Sequence, residues 1–261
     1  MLPNPNKFKN HTLELVKSEH HSSYSATTND IDLNDYHTNL LKAKEQQQNL
    51  AMGNDTITNP TILLYELFNM KLLRSFDNSI SAIFNKYIGY SKKYKSLTIS
   101  LIADDVKTIT IRKATNKSNE IVKWKTYGSK KFIPTKINSD DKFIFLASGM
   151  SEFILFEMFE FSYILLQSDG MYRNISKETI GQCKDKTIVI LADNDDTFKS
   201  IIPPLKEMFN LLKMIVIDFE KVLNKKLLKG YDFRDFCNEI NNKKEILKIL
   251  ENEIIKGLKD V

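Results

Sequence analysis

Three acidic side chains follow directly after a short apolar run. The run, Thr187–Ala192, is rich in β-branched residues, and Asp193, Asn194, Asp195 and Asp196 come next. A short β-branched apolar run predicts a buried strand. Carboxylates crowded at a strand end repel one another unless a cation lies between them, and Mg²⁺ prefers such oxygen ligands. Asp193 and Asp195 therefore predict a site for Mg²⁺ or Mn²⁺, with an acidic surface turn as the alternative.

The second half of the chain alternates between apolar strands and amphipathic helices. We predict strands over 143–147, 163–167, 187–192 and 214–218, and helices over 151–161, 176–182, 198–212 and 233–240. This alternation requires a mostly parallel sheet with right-handed crossovers, which is the α/β class. Open α/β sheets bind ligands beyond the carboxyl ends of their strands. The acidic run lies at such an end.

Changes in composition divide the chain into four parts. Residues 1–58 are polar and poor in aromatic residues, which predicts a mobile N-terminal arm. Residues 59–140 predict a small α+β subdomain, and residues 141–242 form the α/β domain. Residues 243–261 predict a charged C-terminal helix. This helix and the Lys-rich segment 221–229 are interpreted as solvated surface or as a docking surface for a partner.

Composition excludes several classes of protein. The two cysteines, Cys183 and Cys237, are far apart and form no Cys-x-x-Cys pair, which excludes a zinc ribbon. Ser148 follows a predicted strand, but no histidine occurs after His37 to act as its base, so a serine hydrolase is not expected. No apolar stretch is long enough to span a membrane and no signal-peptide core is present, so we expect a cytoplasmic protein without a membrane partner.

A basic segment precedes the predicted α/β domain. Ten Lys or Arg residues occur between Lys107 and Lys142, against three acidic residues, and the whole chain has a net charge of +5. Basic residues interleaved with aromatic ones are typical of a groove that follows a phosphate backbone and stacks bases. The candidate nucleic-acid-binding residues are Arg112, Lys123, Trp124, Lys125, Lys130 and Lys131. A solvated Lys-rich surface is the alternative.

The order of segments from 143 to 235 resembles a Toprim domain, the metal-binding fold of bacterial primases, topoisomerases and some nucleases. Its motifs are a strand ending in Glu-Gly-x-x-Asp, a later Asp-x-Asp and a Lys-x-x-Asp-like element. They fall on 148–152, on 193–195 and on 229–235. The preceding segment, with Ile88-Gly89-Tyr90, resembles the amino-terminal part of a bacterial DNA primase core. The resemblance covers about residues 60–240.

The resemblance implies a primase-like nucleotidyltransferase. Asp193 and Asp195 would then bind Mg²⁺ or Mn²⁺, and Glu152 would be a third carboxylate ligand and the acid/base. Asp232 or Asp235 would be an outer ligand or an orienting group. The family's first glutamate falls on Ser148, and Glu152 stands where the family has aspartate. Two alternatives therefore stay open, namely a Toprim nuclease and a catalytically inactive DNA-binding replication module.

The resemblance also implies partners. Single-stranded DNA and nucleotides would be the substrates. The chain carries neither a zinc module for template recognition nor a Gly-x-x-x-x-Gly-Lys-Ser/Thr loop of a fused helicase. A primase of this kind, typical of a mobile element, would depend on a separate replicative helicase.

Overall fold

The structure is a computed structural model that describes residues 83, 87–91, 96–103, 106–112, 124–128, 132–209 and 213–259. The predicted N-terminal arm, 1–58, and the predicted helix that follows it lie outside the described residues. The described part contains a mixed, mostly parallel five-stranded sheet flanked by helices. The predicted α/β class is therefore confirmed.

A separate four-stranded antiparallel sheet precedes the α/β domain. Its strands, in spatial order, are β1 (Ile88–Ser91), β2 (Ser96–Ala103), β3 (Val106–Arg112) and β4 (Trp124–Gly128). In β2 apolar and polar residues alternate, which is the period of a strand with one covered face. The last of these strands begins at Trp124.

The strands of the α/β domain lie in the order β5-β7-β6-β8-β9. Their bounds are β5 (Thr135–Lys136), β6 (Phe143–Ser148), β7 (Tyr163–Leu166), β8 (Thr187–Ala192) and β9 (Lys213–Asp218). Strand β5 is antiparallel to β7, and the other four strands are parallel. Strands β6, β7 and β8 are almost entirely buried, which explains why they are continuous apolar runs.

Helices cover both faces of this sheet. They are α1 (Met150–Phe159), α2 (Lys177–Gln182), α3 (Asp196–Met208), α4 (Phe219–Leu223), α5 (Phe233–Ile240) and α6 (Lys243–Lys259), with a 3₁₀ helix at Asp169–Asn174. One core packs α1, α5 and α6 against one face, and a second core packs α3 against the other. Each face is thus covered by helices, as buried parallel strands require.

The strand order reverses between β6 and β8. From the central strand β6 the chain passes to β7 on one side, returns to β8 on the other, and continues to β9. The register pairs Leu146 with Ile190, so the strand ends at Ser148 and Ala192 lie at the same level. This is the point where open α/β sheets form a crevice for ligands.

The C-terminal helix corrects one interpretation. Helix α6 exists where it was predicted, but Ile246, Leu250 and Ile254 are buried in the same core as α1. The helix is therefore part of the α/β domain, and only its other face is solvated. No helix within the described ranges has the length and apolar character needed to cross a membrane.

Candidate acidic site

Glu152 lies in the first turn of α1, directly after β6. Every residue of this helix except Glu157 is buried, so Glu152 does not face solvent. The residue is 1% exposed, and its Oε1 atom has no hydrogen-bond partner among the described residues. A buried carboxylate oxygen without a partner is costly unless it is protonated or faces a cation.

Asp193 lies at the end of the neighbouring strand, β8. Its Oδ1 atom is also buried and also lacks a hydrogen-bond partner in the part of the chain that the structure describes. The two carboxylate oxygens therefore belong to residues at the carboxyl ends of adjacent strands, at the reversal of strand order described above. The sequence predicted both residues as site residues, and the structure brings them together.

Burial and neighbouring carboxylates raise the pKa values of both carboxyl groups. Burial, followed by the charge of Asp232, raises the pKa of Glu152 to about 8, although Arg234 acts in the opposite direction. Burial, followed by the charges of Glu152 and Asp232, raises the pKa of Asp193 to about 9, and Asp169 adds to this. Near neutral pH both groups therefore hold protons unless a cation takes their place.

Asp232 reaches the site from the start of α5. Its Oδ1 atom accepts a hydrogen bond of 2.9 Å from the backbone N–H of Asp235 and caps the helix, as is usual for aspartate. Its Oδ2 atom forms an ion pair of 2.9 Å with Arg234. Both oxygens of this predicted ligand therefore have protein partners.

Arg234 is a site residue that the sequence analysis missed. Burial alone would lower the pKa of its guanidinium, but the charges of Asp232, Asp235 and Glu152 raise it overall. The residue supplies positive charge within the carboxylate cluster. Its only signal in the sequence is its place in the first turn of a helix that begins with Asp232, and Arg at such a position is usually on the surface.

Asp195 has a structural role at the start of helix α3. Its Oδ1 atom accepts a hydrogen bond of 2.6 Å from the backbone N–H of Phe198 and so caps α3. Its charge also contributes to the raised pKa of Asp193. The two aspartates of the predicted pair thus differ, because Asp193 interacts with Glu152 whereas Asp195 fixes the start of a helix.

Asn194, which the sequence analysis treated as a spacer, fastens two loops together. Its backbone N–H donates to the carbonyl of Tyr231 and its carbonyl accepts from Gly230, both at 2.8 Å. Its side-chain amide donates to the carbonyls of Leu227 and Leu228 at 3.1 and 3.2 Å. These bonds hold the segment that carries Asp232 against the end of β8.

Gly149 makes room for the carboxylate of Glu152. Its backbone has a φ of 116°, and a Cβ at this position would overlap the Oε2 atom of Glu152. We expect Gly149→Ala to displace Glu152 and to lower stability by about 1–3 kcal/mol because of backbone strain. The measurement is thermal unfolding of Gly149→Ala beside Gly170→Ala, since a Cβ at Gly170 meets nothing within 4 Å. Equal melting temperatures for the two variants would contradict this expectation.

The predicted nucleic-acid-binding residues are only partly described. Lys123, Lys130 and Lys131 lie outside the described residues. In the antiparallel sheet Arg112 is the backbone partner of Trp124, and Ile111 is the partner of Lys125. The pairing of β3 with β4 therefore brings Arg112, Trp124 and Lys125 to adjacent positions, whereas their role in binding stays a prediction.

The acidic site fits a hard cation that binds few protein ligands. Within the described ranges no three His, Cys, Asp or Glu side chains lie close enough to form a complete metal site. Glu152 and Asp193 nevertheless each have a buried oxygen without a partner. Mg²⁺ commonly binds one or two carboxylates and completes its shell with water and substrate phosphates. Two carboxylates with unpartnered oxygens therefore meet the requirement.

Comparison with known proteins adds no assignment. No protein-family model matches the chain, and no curated protein matches it. The geometry of the acidic site is therefore the basis of the functional argument.

Proposed function

We propose that this chain is a metal-dependent enzyme of the Toprim type that acts on nucleic acid, and specifically a primase-like nucleotidyltransferase. The observation that carries the proposal is the pair of buried, unpartnered carboxylate oxygens of Glu152 and Asp193 at the strand-order reversal. Acidic groups that repel one another in a crevice are typical of functional sites.

Glu152 and Asp193 are the residues that would hold Mg²⁺ or Mn²⁺. When bound, the cation would neutralise charge on a phosphoryl group and orient the attacking 3′-hydroxyl. Asp195 and Asp232 would act around it, because each already accepts a hydrogen bond from the start of a helix. They would contribute negative charge and fix the loops that surround the two ligands.

We assign two further roles to residues of this chain, namely proton transfer to Glu152 and positioning of a carboxylate to Arg234. Burial raises the pKa of Glu152 to about 8 in the metal-free protein, and Glu152 would take up or release a proton only in a state in which it does not hold the cation. Arg234 lies 2.9 Å from Asp232 and holds that carboxylate in place. Its buried Nε atom has no hydrogen-bond partner among the described residues and would be free to donate to a substrate oxygen.

The proposed substrates are nucleotides and single-stranded DNA, with a replicative helicase as partner. The first test incubates the purified protein with Mg²⁺, NTPs or dNTPs and a single-stranded template. New oligonucleotides that require both metal and template would support a primase. Metal-dependent strand cleavage without nucleotides would replace it with a nuclease.

A third outcome of this test would indicate a DNA-binding module without catalytic activity. DNA binding without synthesis or cleavage, unchanged in Asp193→Asn and Glu152→Gln, would contradict the enzymatic proposal. The carboxylates would then be structural. Both substitutions preserve side-chain shape, so loss of folding does not confuse the outcome.

A further inference from the structure

The loop between α4 and α5, residues 224–230 and here called the site loop, carries a strongly exposed leucine. Leu228 is 84% exposed, and the other large hydrophobic residue exposed among the described positions is Ile255, at 45%. A single exposed leucine is common on protein surfaces. The fixed position of Leu228 beside the acidic site distinguishes it.

Hydrogen bonds on both sides of Leu228 hold the site loop. The carbonyl of Leu228 accepts bonds from the Asn194 amide at 3.2 Å and from the backbone N–H of Tyr231 at 3.1 Å. The preceding Leu227 is buried, and its backbone N–H donates to Glu220 at 2.9 Å. A surface held in place before binding loses less entropy when it binds a ligand.

The charge of the site loop favours a polyanion. Lys225, Lys226 and Lys229 are exposed, and of these Lys225 forms an ion pair of 2.6 Å with Glu239. The loop is fastened through Asn194 to the strand end that carries Asp193. The carboxylates of the acidic site lie beside exposed lysines. This charge pattern suits a phosphate backbone that binds the carboxylates through a cation and contacts the lysines directly.

We propose that the site loop binds single-stranded DNA, with Lys226 and Lys229 contacting phosphates and Leu228 packing against an unstacked base. The inference deepens the proposed function and rests on it for the choice of nucleic acid. An apolar side chain between two lysines matches the alternation of bases and phosphates along a single strand.

The test measures binding of a fluorescein-labelled oligothymidylate of about 20 nucleotides by anisotropy, in EDTA and over a range of salt concentrations. The variants are Lys226→Gln/Lys229→Gln and Leu228→Ala. Their matched controls are Lys244→Gln/Lys248→Gln, two exposed lysines of α6, and Ile255→Ala. Thermal melting of each variant verifies that the fold is retained.

We expect the Lys226→Gln/Lys229→Gln variant to bind about tenfold more weakly at low salt and to reduce the slope of log K against log salt by about 1.4, at about 0.7 per phosphate contact. Leu228→Ala should bind about fivefold more weakly, with an unchanged slope, because it removes apolar contact alone. Both controls should bind like the wild type.

Three results would overturn the inference or part of it. No binding by the wild type, or equal binding by the variants and their controls, would overturn it entirely. Loss in the lysine variant alone would overturn the role of Leu228.

Because binding is measured in EDTA, loop-dependent binding without metal-dependent chemistry would refute only the proposed function. Chemistry with unchanged binding by the variants would refute only the inference.

Discussion

Asp193→Asn should lower metal-dependent nucleotidyl transfer by about 100- to 1,000-fold, the scale observed when one preorganised charge-stabilising group is removed. The reason is that Asp193 has a buried oxygen without a protein partner, which is available to a cation. Glu152→Gln should cause a loss of the same order, because its Oε1 atom has the same property. The measurement is the initial rate of primer synthesis at saturating Mg²⁺.

Asp195→Asn is the matched control for this prediction. It removes the same charge two residues away, but asparagine caps a helix about as well as aspartate, so the bond to Phe198 can be kept. We expect Asp195→Asn to retain most of the activity. A greater loss in Asp195→Asn than in Asp193→Asn would show that the two aspartates have been assigned the wrong roles.

The metal-free protein should become less stable as the pH rises through 8 and 9. The pKa of Glu152 is raised to about 8 and that of Asp193 to about 9, so the folded state binds more protons than the unfolded state. Such groups stabilise the fold fully below the pKa of an ordinary carboxyl group, and this contribution is lost as the pH rises through the folded-state pKa values. The measurement is thermal unfolding in EDTA between about pH 6 and pH 9.5.

Glu152→Gln and Asp193→Asn should each reduce the dependence of stability on pH. Near pH 9 each variant should melt at least about 4 °C above the wild type. In a chain of this size, 1 kcal/mol of stability corresponds to about 2–4 °C in melting temperature. The substitutions remove a buried negative charge that the metal-free fold must otherwise hold. Glu251→Gln, an exposed change on α6, is the control and should follow the wild type. Variants that melt below the wild type at this pH would contradict the cost of burying negative charge at Glu152 and Asp193.

The positions of the central strands and the carboxylate of Asp193 follow from local sequence patterns. The run 187–192 is a buried strand with the predicted bounds, and Asp193 follows it at the predicted edge. Glu152 was assigned through the family resemblance, and its helix begins directly after a strand, so its first turn lies at the same edge. The strands themselves depend on periods of a few residues, which a single sequence displays well.

Features that depend on distant contacts could not be predicted in this way. Asn194 is important because of bonds to residues more than thirty positions later, and nothing near it in the sequence indicates them. Arg234 has a site role only because α5 returns to β8. Helix α6 is rich in Lys and Glu, so the spacing of four residues between Ile246, Leu250 and Ile254 was not recognised. These three residues pack in the core. Strand β5 has two residues, too few for a period to be recognised.

The most direct test of the central claim is a Mg²⁺ and Mn²⁺ titration followed by thermal melting, with wild type beside Asp193→Asn. A cation that binds only the folded state stabilises it by RT ln(1 + [cation]/Kd). We expect a stabilisation of the wild type that follows this relation and grows from pH 7 to pH 8.5, because the cation competes with protons on Glu152 and Asp193. The variant should show no such stabilisation. No shift in the wild type at concentrations up to about 10 mM, or an equal shift in the variant, would contradict a cation site at these two carboxylates.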